Sequence, residues 1–332
     1  VKKILLIIAI AIVGAFGYFS LFANDYKEAR AAADAGDYQK FYSLIKDDVA
    51  SGDGDAKEIL MDYAIGAVQN NKLNEIKYLL TQDSKLINEE NKDGVRLVDV
   101  ALIPERTKKV NMDMLNLLMS HNPELNHKIN EADGCTLVQL ISGREDLNNK
   151  KDIFELLLKH GADIELYDKT ETKKSNKVPP LSYAYISGNF EFFELLATHS
   201  KELNPRELKG SLLGTMLGLY LLEIDKKHPN MEIHIDKLTK MQMSDVLTSD
   251  SYKTLHQKNI RYLEVLLKNG LLDKVEEGEI KNLAVFYAVV GEMDALTLLK
   301  KYGLCKFGQS CKEAAQRAGA NGNIAVVELI SK

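Results

Sequence analysis

Apolar and polar positions alternate along this chain in a helical rhythm, and the rhythm itself repeats. The stretch Met114-Leu115-Asn116-Leu117-Leu118-Met119-Ser120-His121 returns as Ile153-Phe154-Glu155-Leu156-Leu157-Leu158-Lys159-His160 and as Phe192-Phe193-Glu194-Leu195-Leu196-Ala197-Thr198-His199. Leu118, Leu157 and Leu196 therefore stand 39 residues apart. Ile45 and Leu80 precede them at steps of 35 and 38, and Leu266, Leu298 and Ile330 follow at steps of 70, 32 and 32. Within each stretch the leucines fall on one face of a 3.6-residue period. A shorter apolar helix and a turn come before it. In the clearest unit Pro180-Leu181-Ser182-Tyr183-Ala184-Tyr185 opens a first helix, Ser187-Gly188-Asn189 turns the chain, and residues 190–198 form the second. Repetition at such a period marks stacked units, none of which buries its apolar face alone. The pattern predicts an all-α solenoid of about seven to eight helix-turn-helix units.

Local chemistry supports those boundaries. Pro180 has no N–H to lose in a first helical turn and presets φ for a helix. Gly161, Gly270 and Gly303 each follow a second helix, where a positive φ ends it. The pieces Asp133-Gly134-Cys135-Thr136-Leu137, Lys159-His160-Gly161-Ala162-Asp163-Ile164, Asp93-Gly94 and Asn321-Gly322-Asn323-Ile324-Ala325-Val326-Val327-Glu328-Leu329-Ile330 carry a family resemblance. With the Pro180 unit they resemble the ankyrin repeat, whose pattern joins Thr-Pro-Leu-His-x-Ala to a leucine-rich second helix and a Gly-Ala-Asp-x-Asn hairpin. The units are divergent, for only one has the Pro-Leu pair and none has the full Thr-Pro-Leu-His string. The resemblance covers nearly everything after the first two dozen residues, and implies an ankyrin-repeat domain over 24–332.

The 70-residue step breaks the register. Leu208 to Glu223 reads as one first helix and Ile260 to Asn269 as its second, so residues 226–250, with the turn signal His228-Pro229-Asn230, are expected to be an insertion.

Residues 1–23 differ from the rest. Lys2 and Lys3 precede an uncharged run of 20 residues, Ile4 to Ala23, which as a helix would rise about 30 Å, the thickness of a bilayer's hydrocarbon core. This predicts a signal anchor with the remainder outside the cytoplasm. A cleaved signal peptide is the alternative, with Ala15 and Gly17 at a cleavage site. The expected location is the periplasm, either soluble or anchored to the inner membrane by residues 4–23. Of three cysteines, Cys135 is expected to be a small core residue, while Cys305 and Cys311 flank a short loop that an oxidising compartment would close by a disulfide.

Catalytic signatures are missing. The chain has no Gly-x-Ser-x-Gly elbow, phosphate loop, dinucleotide fingerprint, His-Glu-x-x-His helix or paired Cys-x-x-Cys. His121, His160 and His199 form a column at one position of successive units, but packed helices roughly 8–10 Å apart hold such residues too far apart for one ion. Asp53 and Asp55 resemble the start of a calcium loop whose later ligands fail at Lys57 and Glu58, which leaves a turn. No metal and no cofactor is expected. A net charge of −5 without a basic stripe excludes a nucleic-acid footprint.

Binding of a protein partner is the expected function. Finger tips between successive units fall at Asn91 and Lys92, at Lys128 with Asn130 and Glu131, and at Tyr167, Lys169, Glu171, Lys173 and Lys174. Tyr167 is a favourable anchor and the lysines suit an acidic patch. The chain is similar to exported bacterial ankyrin proteins that act as immunity factors for type VI secretion lipase or phospholipase effectors. That resemblance implies a toxin-binding immunity protein. Alternatives are a membrane-tethered scaffold, an accessory protein for an envelope or oxidative-stress enzyme, and an enzyme using His228, His234 and Asp236 of the insertion.

Overall fold

The computed structural model describes residues 26–103, 109–129, 135–166, 178–200, 212–229, 244–272, 277–303, 316 and 324–331. The hydrophobic run at 1–23, Asn130, Glu131, Tyr167, Lys169, Glu171, Lys173, Lys174, His234, Asp236, Cys305 and Cys311 lie outside them. Within them the chain is mostly helical, with a single two-residue hairpin, so the all-α expectation holds. No described helix is long and apolar enough to cross a membrane. The chain divides into two compact units, residues 1–177 and 178–332.

In the first unit the helices are α1 Lys27–Asp34, α2 Tyr38–Ser51, α3 Gly54–Gln69, α4 Leu73–Gln82, α5 Leu97–Leu102, α6 Met112–Met119, α7 Leu137–Ser142 and α8 Lys150–Lys159. A 3-10 turn, Ser84–Ile87, follows α4, and strands β1 Lys128–Ile129 and β2 Cys135–Thr136 pair antiparallel with Lys128 opposite Thr136. Polar side chains build several of the turns. Asp53 Oδ1 accepts from the Ala56 N–H at 2.8 Å and caps α3, which is the use of the Asp-Gly-Asp turn. Asn111 Oδ1 caps α6 in the same way at 3.1 Å. At α7 the Thr136 hydroxyl and the Gln139 amide satisfy each other's backbone N–H groups as a capping box. Consecutive pairs stack on like members: α3 packs on α4 and on α5, and α4 on α6.

A ladder of asparagines joins successive units edge to edge. Asn88 Oδ1 accepts from the Glu124 N–H at 2.7 Å, and Asn126 Oδ1, 38 residues on, accepts from the Asp163 N–H at 2.7 Å. Asn126 Nδ2 also donates to the Gly161 carbonyl at 3.0 Å. Two hydrogen bonds worth roughly 1 kcal/mol each depend on that one amide. Asn126→Ala is therefore expected to lower stability by about 1–2 kcal/mol in urea unfolding, with the slope against urea unchanged.

The second unit contains α9 Pro180–Ser187, α10 Phe190–His199, α11 Leu212–Lys227, α12 Ser244–Leu247, α13 Asp250–Lys268, α14 Glu277–Val290, α15 Met293–Lys301 and α16 Ile324–Ser331. Pro180 does open α9, and Gly161, Gly270 and Gly303 have φ of 83°, 68° and 78° after their helices. Here too like packs on like, with α11 on α14 and α13 on α15.

Two expectations need correction. The helix expected from Ile260 starts at Asp250, ten residues earlier, capped by the Ser249 hydroxyl accepting from the Tyr252 N–H at 3.3 Å. The insertion is thereby shortened, since α11 runs to Lys227 and α13 begins at Asp250. The extra turns escaped the apolar pattern because their buried positions are Tyr252, His256 and Asn259. Second, Ile45, Leu80, Leu118, Leu157, Leu196 and Leu266 are all at most 1% exposed, but Leu298 is only half-buried and Leu299 takes the core position. The register there slips by one residue. Cys135 is buried as expected.

Candidate functional site

The turn after the 3-10 helix is the first of the expected finger tips. Asn91 Oδ1 accepts from the Asp93 and Val95 N–H groups at 3.0 and 2.9 Å, and Gly94 takes a φ of 67°. Asn91 therefore shapes the tip, and its amide oxygen is committed to backbone. Lys92 projects from the tip and pairs with Glu58 of α3 at 3.0 Å. Glu58 holds the Lys92 ammonium above its ordinary pKa, while burial and the Glu58 charge push the Asp62 carboxyl above the usual carboxylate range.

Beneath that tip lies a groove of about 300 Å³, bounded by Val49, Gly54, Lys57, Glu58, Leu60, Met61, Asp83, Leu86, Glu89, Glu90, Asn91 and Lys92. Val49, Leu60, Met61 and Leu86 supply its apolar surface, and its charged residues carry both signs. Behind the tip, Arg96 is fixed between Glu90 at 2.8 Å and Glu124 at 2.9 Å. Burial works against its charge, and the two carboxylates outweigh that and raise its pKa.

The second expected finger is the β1–β2 hairpin. Lys128 is exposed on β1, and the Thr136 hydroxyl at its base donates to the Leu166 carbonyl at 3.2 Å. Lys92 and Lys128 thus stand on two successive tips of one unit, 36 residues apart in sequence.

The histidine column behaves as end-of-helix residues. His160 caps α8, and His199 is the last residue of α10 with Nδ1 donating to the Leu195 carbonyl at 2.9 Å. Such ends favour a histidine through the helix dipole. His228, an acid/base candidate, lies 3.2 Å from Asp245 on the surface. That pair lowers the Asp245 pKa.

One histidine site was not singled out by sequence. His256 on α13 is 8% exposed, with Nδ1 3.0 Å from the Tyr220 hydroxyl and Nε2 3.0 and 3.1 Å from the two Asp294 oxygens. Glu292 Oε2 is 3.3 Å from the same Nε2. Tyr252 stacks on the imidazole with planes 3° apart, and Tyr287 meets it edge-on. The sequence signal was present in the four-residue spacing of Tyr252 and His256, which puts them on one face with Asn259 and Leu263. Their partners at 220, 292 and 294 come from other helices, and local periodicity carries no trace of them. Among the described residues His256, Glu292 and Asp294 are the group able to converge on one cation.

Comparison of the chain with protein-family models and with curated proteins finds no match to either.

Proposed function

We propose that the chain is an ankyrin-repeat protein that binds a protein partner stoichiometrically through the tips of its first unit. The observation that carries this is the paired recurrence at a 38-residue step of Asn88 and Asn126 with the tips that follow them, at Asn91–Gly94 and at the β1–β2 hairpin. A ladder that fixes the spacing of successive turns makes a rigid row of exposed backbone corners, and rigid presentation reduces the entropic cost of association. Exposed Lys92 and Lys128 suit an acidic partner surface, and the groove beside Lys92 supplies the apolar component. The apolar run at 4–23 and the lysines before it support a bacterial envelope setting. Within it, we propose an immunity protein that neutralises a lipase or phospholipase effector of type VI secretion.

The test is co-purification of the exported chain with the product of a neighbouring lipase-like gene, followed by Lys92→Glu and Lys128→Glu. Each reversal is expected to weaken binding at least tenfold, mainly through slower association and a shallower fall of affinity with salt, with unfolding curves little changed. Wild-type affinity in the double variant would remove these tips from the interface. Cells carrying the chain but killed by the effector would remove the immunity reading.

A further inference from the structure

The His256 cluster plays no part in that binding reading. Three donors of the types that ligate transition metals meet there: an imidazole nitrogen and two carboxylate oxygens, all within 4.8 Å of one another. The separations of 3.0 Å to Asp294 and 3.3 Å to Glu292 are close to the edge of a zinc tetrahedron, roughly 3.4 Å for bonds of about 2.0–2.2 Å. Nε2 faces three carboxylate oxygens that only an N–H can satisfy, so an ion would displace that proton, and the Tyr220 hydroxyl at Nδ1 can accept the N–H of the other tautomer and hold the ring in place.

Charge points the same way. Among the described residues the only cationic partner of either carboxylate is His256, so two anionic groups share at most one positive charge. A second observation is independent of the ligands. The hydroxyl of Tyr252, a residue 1% exposed, has no hydrogen-bond partner among the described residues. Its ring stacks on the His256 imidazole, so the hydroxyl belongs to the same cluster. A buried hydroxyl left unpaired is costly, and ion-bound water would satisfy it.

We infer that His256, Glu292 and Asp294 form a site for one divalent transition-metal ion of the zinc class, with Tyr220 as a positioning residue. One nitrogen and two carboxylates suit zinc, manganese or iron(II) and fall short of the six to eight oxygens that calcium takes. The Asp294 side chain is 59% exposed, which gives the ion a way in and leaves a coordination position open to water. Binding would pin α13 to the start of α15, because the ligands come one from the first and two from the second.

The test uses the untagged chain freed of metal with a chelator and titrated near neutral pH with zinc and, as a spectroscopic probe, cobalt(II). One ion per chain is expected, with a visible cobalt band and a rise in melting temperature. Glu292→Gln with Asp294→Asn should weaken binding by about 100-fold or more and abolish the thermal shift, and Tyr220→Phe should weaken it by about 10-fold. Both carboxylates have solvent-facing surface, so the double variant keeps the core. Absence of one-to-one binding by the wild type would overturn the site. So would undiminished binding in the double variant, which would locate the ion elsewhere.

Discussion

Raising the pH through about 11 is expected to unfold residues 178–332 cooperatively, while residues 26–166 lose helix later. The cause is a set of tyrosines. Tyr185, Tyr220, Tyr252 and Tyr287 are each at most 1% exposed, and burial is the largest of the effects that hold their pKa values above 10. In the unfolded chain they ionise near 10. A folded-state pKa raised in this way contributes stability that is complete below pH 10 and is lost as the pH climbs from there through the folded-state values. Each residue then costs roughly 1.4 kcal/mol per pH unit, so four together remove about 5 kcal/mol one unit above 10, comparable to the whole stability of a marginal domain. The first unit has raised values at Tyr26, Tyr42 and Tyr63, and none of these three is fully buried, so each resists ionisation less than the four core tyrosines do.

Tyrosinate absorbance and helical circular dichroism followed together on the full chain check this. The expected record is a shallow early rise in tyrosinate from exposed tyrosines, then a joint jump in tyrosinate and loss of helix. Tyr252→Phe and Tyr287→Phe remove two buried ionisable hydroxyls, and together should move the transition upward by a measurable fraction of a pH unit. Four tyrosinates appearing with the helix signal intact would show that these rings ionise in the folded state.

Much of the architecture was legible because it rests on local rules. A leucine at the same point of each second helix must meet a neighbour, and Leu80, Leu118, Leu157 and Leu196 are buried where the repeat put them. Pro180 at the start of α9 and glycines after α8, α13 and α15 follow from backbone sterics alone. The register failed where the apolar run offers two adjacent candidates, and Leu299 rather than Leu298 faces the core. The start of α13 failed for another reason. Tyr252, His256 and Asn259 look polar in sequence, yet all three are buried, His256 and Asn259 because distant groups receive them.

Asn259 shows the mechanism. Its amide accepts from the Tyr185 hydroxyl at 2.5 Å and donates to the Met216 carbonyl at 3.3 Å, joining three helices from residues 74 and 43 positions away. No window along the chain contains those partners. The same holds for the candidate sites. The tips at Asn91 and Lys128 were found because turns have local signatures, whereas the committed orientation of the Asn91 oxygen and the meeting of His256 with Asp294 are tertiary facts. A buried polar residue on an otherwise apolar face is the available clue, since it has to be paired.

That requirement makes His127→Leu the most damaging single change expected in the first unit. His127 Nε2 lies 3.0 Å from Asp99 Oδ2, and its Nδ1 donates to the Glu124 carbonyl at 2.9 Å. Asp99 is 1% exposed, and the same oxygen accepts from the Arg96 N–H at 2.9 Å to close the first turn of α5. Its other oxygen is buried with no hydrogen-bond partner among the described residues. Leucine at 127 fills a similar volume but leaves the carboxylate with one backbone donor and no imidazole partner. Removing one member of a buried pair typically costs about 3–5 kcal/mol, most of it the uncompensated charge. The discriminating variant is therefore the double change His127→Leu with Asp99→Asn. Asparagine keeps an acceptor for the Arg96 N–H and carries no charge, so the double variant should regain roughly half of the loss, since a buried neutral amide costs far less than a buried ion. Urea unfolding of the single and double variants measures both terms. If the double variant is no more stable than His127→Leu alone, the loss comes from the packing and hydrogen bond of the imidazole, and the Asp99 charge is not what His127 is there to balance.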